Sequence, residues 1–381
     1  MPEKAERRKR GMFIKGGRLD ITFLSFVLIL LTIGLVMLFS ASYAYSLEYY
    51  GSSYKFITQQ LLFALVGLVA MYALSRIDYH FWRKFAVFLY IATLVVLAAL
   101  LIMPPMIPGL DVKRWLVIGS FSFQPSEIAK FAVILLFSSV ISANYKKMGE
   151  IKFVLFLAVL LALPCGLIVL EPHLSATILV FTIGIVLMVI GGIKKKIIVL
   201  GGGAAVGLVG VAIVSGVISY GSDRIKYWLN PWLDPAGKGF QTIQSLLAIG
   251  SGGILGRGFG QSRQKYLWVP EPHNDFIFSI VCEELGLIGA MVIIILFALL
   301  VWRGFTIAMH APDKFGSLLA VGLTVQVGIQ AILNIWVVTN TMPNTGISLP
   351  FFSYGGTSLF MLLAEMGIVL SVSRSSAIEK T

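Results

Sequence analysis

The sequence predicts an all-α integral membrane protein with about ten transmembrane helices. Of its 381 residues, 57% are hydrophobic and only 13% are charged, whereas charged residues make up about 25% of an ordinary soluble domain. The mean hydropathy of +0.89 points the same way. A transmembrane helix needs about 20 predominantly apolar residues, and runs of roughly that length recur along the chain. Together these observations exclude an ordinary soluble domain.

The apolar runs define the spans in chain order. A helix rises about 1.5 Å per residue and must cross about 30 Å of hydrocarbon, and by this measure the fourth and sixth runs are short. The predicted spans are Ile21–Tyr43, Phe56–Leu74, Phe85–Met103, Ile128–Ile141, Phe153–Leu170, Leu174–Ile190, Ile197–Val217, Phe276–Val301, Leu318–Val338 and Leu349–Val372.

The basic residues predict the orientation. A net charge of +12 would suggest a nucleic-acid partner in a soluble protein, but in a membrane chain lysine and arginine collect in short cytoplasmic loops. With the N-terminus inside, most of the 30 lysines and arginines fall on the inner side, and an even number of spans returns the C-terminus there. We therefore expect membrane lipids as neighbours and no nucleic-acid partner.

The chain divides into three regions. Residues 1–18 form a basic cytoplasmic tail, residues 19–373 form the transmembrane domain, and residues 374–381 form a second cytoplasmic tail. The transmembrane domain includes a large outer loop, residues 218–274. The first apolar run is too long for a signal-peptide core and lacks a small-residue cleavage site, so we expect it to remain as a membrane anchor.

Two outer segments carry polar motifs. The first contains KRW at Lys113–Trp115 and FQPSEIAK at Phe123–Lys130, in which Pro125 suits the first turn of a helix. The second is the large loop, with an aromatic and basic patch, an amphipathic stretch and a glycine-rich run at Gly250–Ser262. The glycine run has no Gly-Lys-Ser/Thr ending and follows no predicted strand, so it does not match a nucleotide-binding loop. Turn formation is the favoured interpretation, and backbone contact with a phosphate is the alternative.

The junction between the large loop and the eighth span is the strongest candidate for chemistry. Glu271, His273 and Asp275 adjoin an apolar run that itself contains Glu283 and Glu284. Ionisable groups at or inside a membrane are costly to place and are therefore functional candidates. With the N-terminus inside, Asp275 faces the outer side.

Lys130 is a second candidate, because it lies about one turn inside the fourth span, on the same helix face as Glu127. An ion pair between Lys130 and Glu283 or Glu284 would satisfy both charges within the bilayer. Two readings of such a pair remain open, a buried contact that fixes helix packing and a catalytic role.

The other polar residues in apolar surroundings favour structural interpretations. One face of the ninth span carries three amides, for which hydrogen bonding between helices is the default. Cys165 and Cys282 lie within apolar runs, so we expect small buried hydrophobes rather than a disulfide or metal ligands. The amides are Gln326, Gln330 and Asn334.

Five segments together resemble one protein family over nearly the whole chain after the basic tail. The family is the SEDS proteins (shape, elongation, division and sporulation), which comprise the RodA, FtsW and SpoVE group. The residues of the last segment and of GQSRQK resemble the FtsW and SpoVE branch more than RodA. The segments are FQPSEIAK from Phe123, GFQTIQSLLAIGSGG from Gly239, GQSRQKYLWVPEPHNDFIF from Gly260, EELG from Glu283 and MPNTGISLPFFSYGGTSL from Met342.

The resemblance implies a peptidoglycan glycosyltransferase that polymerises lipid II on the outer face of the bacterial cytoplasmic membrane. It also implies a fold related to other polyprenyl-dependent membrane glycosyltransferases. The family's essential aspartate falls on Asp275, although Asn274 replaces the usual threonine before it. The family's arginine before tryptophan falls on Arg114, and the charged residues of PSEIAK fall on Glu127 and Lys130. The implied partners are lipid II, the undecaprenyl-diphosphate-linked glycan, and a class B penicillin-binding protein that crosslinks the product.

The chemistry of this reaction agrees with the residue types. A base must activate an acceptor hydroxyl, and positive charge must stabilise the departing diphosphate. Asp275 is the expected base, and Arg114, Lys130 and Lys265 are the expected cations. We place His273, Glu127, Glu283 and Glu284 with them as substrate-binding candidates. No metal-ligand cluster is apparent and no cofactor is certain, while a divalent cation such as Mg²⁺ or Mn²⁺ would be an additional source of charge.

Two other functions remain as alternatives. One is a flippase or transporter of polyprenyl-linked sugars, which the many helices favour but the lack of visible inverted repeats disfavours. The other is a noncatalytic scaffold for cell-wall synthesis. Polymer formation from lipid II by the purified protein distinguishes the enzyme from both.

Overall fold

The structure is a computed structural model that describes residues 12, 17–104, 114–118, 121–194, 196–197 and 219–376. Within these residues, seven helices are long and apolar enough to cross a membrane, and two more are apolar but shorter. The all-α, multi-pass membrane architecture is therefore confirmed. The predicted span Ile197–Val217 and most of the two tails lie outside the described residues.

The nine membrane helices follow the predicted order. In lipid, a single segment can satisfy the hydrogen bonds of all its backbone groups only as a helix. Each apolar run therefore forms a helix. They are α1 (Ile21–Tyr50), α2 (Lys55–Arg76), α4 (Ala86–Ile102), α5 (Pro125–Ala143), α6 (Ile151–Leu170), α7 (Leu174–Ile190), α10 (Ile277–Met309), α11 (Lys314–Val338) and α12 (Gly356–Ser375).

Short elements connect these helices. A two-stranded antiparallel hairpin, in which Leu116 pairs with Phe123, leads directly into α5. Helices α8 and α9 belong to the large loop and are too short to span. The short elements are α3 (His80–Arg83), β1 (Leu116–Ile118), β2 (Phe121–Phe123), α8 (Ser219–Leu229) and α9 (Phe240–Gly252), with 3₁₀ turns at Tyr145–Gly149 and Pro231–Leu233.

Several helix boundaries differ from the sequence prediction, and three of them have a clear structural cause. Helix α1 continues to Tyr50 and ends where Gly51 adopts a left-handed conformation (φ 69°), which glycine adopts readily. Helix α5 begins at Pro125, which needs no N–H partner in a first turn. Helix α12 begins only at Gly356, because the residues from Leu349 to Gly355 form an irregular loop before it.

The glycine-rich run re-enters the bundle beside α10. Helix α10 is interrupted at Gly286 (φ 66°, ψ −168°). On both sides of this interruption, the backbone of α10 forms hydrogen bonds with the backbone of the glycine-rich run. Arg257 N and Gly258 N donate to the carbonyls of Glu283 and Glu284, and Leu287 N donates back to the Gly253 carbonyl. This exchange satisfies irregular backbone groups that lipid could not satisfy.

Helices α5 and α11 form the centre of the bundle, where most of their side chains are buried. Glycines allow close helix contacts around them. A Cβ at Gly367 of α12 would meet the Met71 carbonyl of α2 at 2.5 Å. The candidate site lies at the ends of these central helices near Pro125 and Val338.

Candidate functional site

Asp275 lies two residues before α10, at the end of the large loop. Its backbone is fixed from two sides. Asn334 Nδ2 of α11 donates to the Asp275 carbonyl at 2.7 Å. In the loop before α12, Ser353 Oγ donates to the Asn274 carbonyl at 2.8 Å, and Tyr354 N donates to the His273 carbonyl at 2.8 Å. Two elements distant in sequence, α11 and the loop before α12, therefore set the position of this carboxylate.

The surroundings of Asp275 adjust its protonation. Burial and the nearby carboxylate of Glu271 raise the pKa of Asp275 from 3.8 to about 6, against the opposing effect of Arg224 and Arg114. A carboxyl with this pKa is ionised at neutral pH and is a better proton acceptor than an ordinary aspartate. A Cβ at Gly346, whose φ is 71°, would lie 3.1 Å from Asp275 Oδ2, so glycine leaves space beside the carboxylate.

Arg114 lies just before the outer hairpin and contacts the turn between α6 and α7. Its Nε donates to the Glu171 carbonyl at 3.3 Å, and its Nη2 donates to the Pro172 carbonyl. The Glu171 carboxylate is buried, and burial raises its pKa to about 8 although Arg114 opposes the rise. Arg114 is only half-buried and lies close enough to Asp275 to lower its pKa, and its role in substrate binding stays a prediction.

Arg224 is a site residue that the sequence did not single out. It lies on α8, and its Nη1 donates to the Asn344 carbonyl in the loop before α12. This contact brings a second guanidinium into the electrostatic environment of Asp275. The sequence signal was present, since Arg224 belongs to the aromatic and basic patch, but nothing local distinguishes it from Lys226 two residues later.

The predicted ion pair between Lys130 and Glu283 or Glu284 is wrong. Lys130 Nζ lies 2.9 Å from Glu127 Oε1 on its own helix and donates to Gln330 Oε1 at 3.1 Å. Glu127 also accepts a hydrogen bond from Ser358 Oγ at 3.0 Å. The i,i+3 partner was available without any rearrangement of helices, which is the physical reason it prevails.

Lys130 and Glu127 line a polar cavity inside the bundle. Lys130 is only 2% exposed, so it does not present its charge on the outer surface. The cavity is also lined by Gln326, Gln330 and Ser348. Any contact between Lys130 and a substrate would have to be made through this cavity.

Lys265 and the two glutamates form a buried anchor for the glycine-rich run. Lys265 Nζ lies 2.8 Å from Glu284 Oε1 and donates to the Gly260 carbonyl at 2.7 Å. Glu283 accepts from Ser262 Oγ at 2.5 Å and from the backbone N of Arg263 at 3.0 Å. These contacts bury the three charged side chains almost completely. In this structure their polar atoms face protein, and their role in substrate binding stays a prediction.

His273 is a buried aromatic contact. Its ring centroid lies 4.2 Å from Phe56 and 4.8 Å from Tyr45. Burial lowers the pKa of His273 to about 4, so the ring is neutral at physiological pH. His273 therefore supplies no positive charge for a diphosphate, and its predicted role in substrate binding stays a prediction.

Comparisons with known proteins agree on one family. The family model described as "Cell cycle protein", for the FtsW, RodA and SpoVE group, matches residues 21–378. The chain is 41% identical to stage V sporulation protein E of Bacillus subtilis (strain 168), over 94% of this chain and 97% of that protein. It is 38% identical to the probable peptidoglycan glycosyltransferase FtsW of Geobacter sp. (strain M18), over 93% of this chain and 96% of that protein.

Solved structures show the same architecture. A chain from a study of the structural coordination of polymerization and crosslinking by a peptidoglycan synthase complex superposes with a TM-score of 0.77 at 30% identity. The alignment covers 93% of this chain and 98% of that chain. The rod shape determining protein RodA of Thermus thermophilus superposes with a TM-score of 0.70 at 26% identity, over 95% of this chain and 98% of that chain. With a family model that matches residues 21–378 and a relative that is 41% identical, this chain belongs to the FtsW, RodA and SpoVE family.

Proposed function

We propose that this chain is a peptidoglycan glycosyltransferase that polymerises lipid II at the outer surface of the bacterial cytoplasmic membrane. The observation that carries the proposal is the geometry around Asp275, a carboxylate with a raised pKa near two arginines, at the outer end of a membrane bundle. The relatives' names support it, since one is a probable peptidoglycan glycosyltransferase.

Asp275 serves as the general base in this proposal. Its carboxylate takes the proton from the acceptor sugar hydroxyl as that oxygen forms a bond with the anomeric carbon of the donor sugar. The bond between that carbon and the diphosphate oxygen breaks, and the diphosphate leaves with the electron pair. The junction position suits substrates whose sugars lie in water while their polyprenyl chains stay in the bilayer.

Arg114 and Arg224 serve as the charge that stabilises the leaving diphosphate. A guanidinium presents a planar fork of donors that matches phosphate oxygens, and it remains charged at all physiological pH values. Both arginines come from outer segments that flank Asp275, and both are already oriented by contacts with backbone carbonyls. Such preorganised charge is a large contribution to catalysis.

A resident divalent cation does not fit the residues beside Asp275. The described part of the chain contains no group of three histidine, cysteine or carboxylate side chains that could hold a metal ion. Glu271 is the carboxylate nearby that affects Asp275, and two carboxylates hold Mg²⁺ only when substrate phosphates and water complete its coordination. The proposed steps therefore use the side chains of this chain alone.

The distribution of basic residues and the similarity to known proteins support an orientation in the membrane and a partner. We propose that both termini are cytoplasmic, since the basic segments then lie on the inner side. We also propose a class B penicillin-binding protein as the crosslinking partner, because a similar chain was solved in a complex that couples polymerization to crosslinking. The undecaprenyl-diphosphate-linked glycan is the growing product.

Purified protein and lipid II test the proposal directly. We expect glycan polymer with the natural sequence and none with Asp275→Asn, which removes the base but keeps the size of the side chain. Retained thermal stability and retained partner binding are the controls for folding. Polymerisation at the natural rate by Asp275→Asn would contradict the assignment. Movement of lipid II across vesicles without polymer would favour the transporter, and neither activity would favour the scaffold.

A further inference from the structure

A cluster of aromatic rings surrounds His273 at the outer end of α1. Phe56 lies at its centre, with ring centroids 4.2 Å from His273, 4.7 Å from Tyr354 and 5.6 Å from Tyr50. The ring centroid of Tyr45 lies 4.8 Å from that of His273 and 4.4 Å from that of Tyr49. We call the connected set the aromatic platform: Tyr45, Tyr49, Tyr50, Phe56, His273 and Tyr354.

The aromatic platform is continuous with the catalytic candidate. His273 lies two residues before Asp275, and its carbonyl accepts the hydrogen bond from Tyr354 N at 2.8 Å. The same loop positions Asn274 through Ser353 Oγ. The platform and the carboxylate are thus held by one set of contacts, and their relative position is fixed.

One side of the platform is buried in protein and the other is exposed. Phe56 and His273 are 6% and 3% exposed, whereas Tyr49 and Tyr50 are 62% and 50% exposed. Helix α1 has 30 residues, whereas about 20 residues suffice to cross the hydrocarbon. Tyr49 and Tyr50 are its last two residues, so they lie on the part of α1 that extends past the outer hydrocarbon boundary.

The exposed rings have a chemistry that suits a sugar chain. The C–H faces of a pyranose ring are apolar and stack on aromatic rings, while its hydroxyl and acetamido groups form hydrogen bonds. Tyrosine combines a flat apolar face with a hydroxyl that donates and accepts. Lys55 Nζ lies 3.1 Å from the centroid of the Tyr50 ring, which helps to fix the orientation of that ring.

We propose that the aromatic platform binds the nascent glycan strand, a chain of β-linked N-acetylhexosamines, and keeps it beside Asp275 between additions. The inference rests on the proposed function, since it assigns a product-binding surface to that same site. A polymerase that releases its product after each addition makes short strands. A polymerase with a stacking surface next to its base retains the strand and makes long ones.

The strand-binding role is tested by the length of the product. We expect Tyr49→Ala and Tyr50→Ala together to shorten glycan strands made from lipid II by a larger factor than they slow lipid II consumption. Tyr54→Ala is the matched control, because Tyr54 is 60% exposed in the same turn but stacks on Phe39, outside the platform. The double variant Tyr49→Phe and Tyr50→Phe should retain long strands if stacking carries the effect. Strands of unchanged length in the alanine variant would overturn the proposal.

A binding measurement separates this proposal from the proposed function. Fluorescently labelled chitotetraose, a lipid-free β-1,4-linked N-acetylglucosamine oligomer, should bind the Asp275→Asn protein, which needs no catalysis. We expect the Tyr49 and Tyr50 alanine variant to weaken this binding by about tenfold, which corresponds to about 1.4 kcal/mol. Equal binding of the oligomer with and without the two alanine changes would show that the tyrosines serve only as an interfacial anchor. This outcome would also overturn the proposal. Binding without any polymerase activity in the natural protein would contradict the proposed function and leave the platform in place.

Discussion

Asp275 has a pKa that differs from that of an ordinary aspartate, and the difference has consequences for both activity and stability. In the folded protein the pKa is about 6, raised from 3.8 by burial and by Glu271. Only the ionised carboxylate can accept a proton. The folded state also binds the proton more tightly than the unfolded chain does, so ionisation destabilises the fold as the pH rises from about 4 through about 6.

We therefore expect the rate of lipid II polymerisation to fall as the pH drops through about 6. A pH profile of the initial rate under single-turnover conditions measures this directly. For Asp275→Asn, we expect a melting temperature at pH 7 that is no lower than that of the natural protein, because the variant cannot ionise at this position. A rate that stays constant down to pH 4.5 would be inconsistent with Asp275 as the base.

The arginines beside Asp275 differ from lysine in geometry rather than in charge. We expect Arg114→Lys and Arg224→Lys to fold normally but to polymerise lipid II at least about tenfold more slowly, with weaker lipid II binding, because lysine lacks the bidentate fork. The charge-matched control is Lys226→Arg on the same helix as Arg224, which we expect to have little effect. If both lysine variants are fully active, the diphosphate contact must be sought at the polar cavity around Lys130.

At the scale of the elements, the main feature is the interrupted helix α10 with the glycine-rich run against it. Glu283 and Glu284 lie in the turns just before the break at Gly286, and they bind the run through Ser262 and Lys265. A buried ion pair contributes little net stability, but removing one partner leaves a charge without compensation. The pair therefore specifies where the run docks.

We expect Lys265→Met to lower the free energy of unfolding by about 3 to 5 kcal/mol, since it leaves the buried carboxylate of Glu284 unpaired. The double variant Lys265→Met with Glu284→Gln should recover much of this loss. Melting temperatures in detergent, measured for the two single variants and the double variant, give the coupling between the sites. Additive losses in the double variant would mean that the ion pair is not a coupled unit.

At the scale of the whole molecule, orientation remains a proposal from the distribution of basic residues. The two cysteines, Cys165 and Cys282, are 8% and 7% exposed, and both are replaced by alanine before labelling. Glu48 lies exposed near the outer end of α1, and Lys147 lies exposed in the 3₁₀ turn on the opposite side. These positions allow the two faces to be labelled separately.

In a variant with Cys165→Ala and Cys282→Ala, we expect Glu48→Cys to react with a membrane-impermeant maleimide in intact cells. Lys147→Cys should react only after the membrane is permeabilised. Mass-shift labelling of the two proteins checks the prediction. The reverse pattern would place Asp275 on the cytoplasmic side and would contradict polymerisation at the outer surface.

The sequence by itself determined the bundle and the identity of the catalytic candidate. The length of an apolar run can be read locally from the sequence, and such a run forms a helix in lipid. Eight of the nine described membrane helices accordingly begin within four residues of the predicted start. The ninth, α12, begins late because Leu349–Gly355 is apolar yet forms a loop. Asp275 stood out because a charged residue directly before an apolar run requires an explanation wherever it occurs.

Only the tertiary structure decided which charges meet. Lys130 had partners within reach on its own helix and on α10, and it took Glu127 and Gln330. The position of Lys265 in the large loop suggested a surface cation. The packing of the glycine-rich run against α10 instead places it beside Glu284, 19 residues later in the sequence. Arg224 reaches the site because α8 contacts the loop at Asn344. Glu127 is a local partner of Lys130, but Gln330, Glu284 and Asn344 reach their partners only through the packing of distant segments. Hydrophobicity along the chain does not predict that packing.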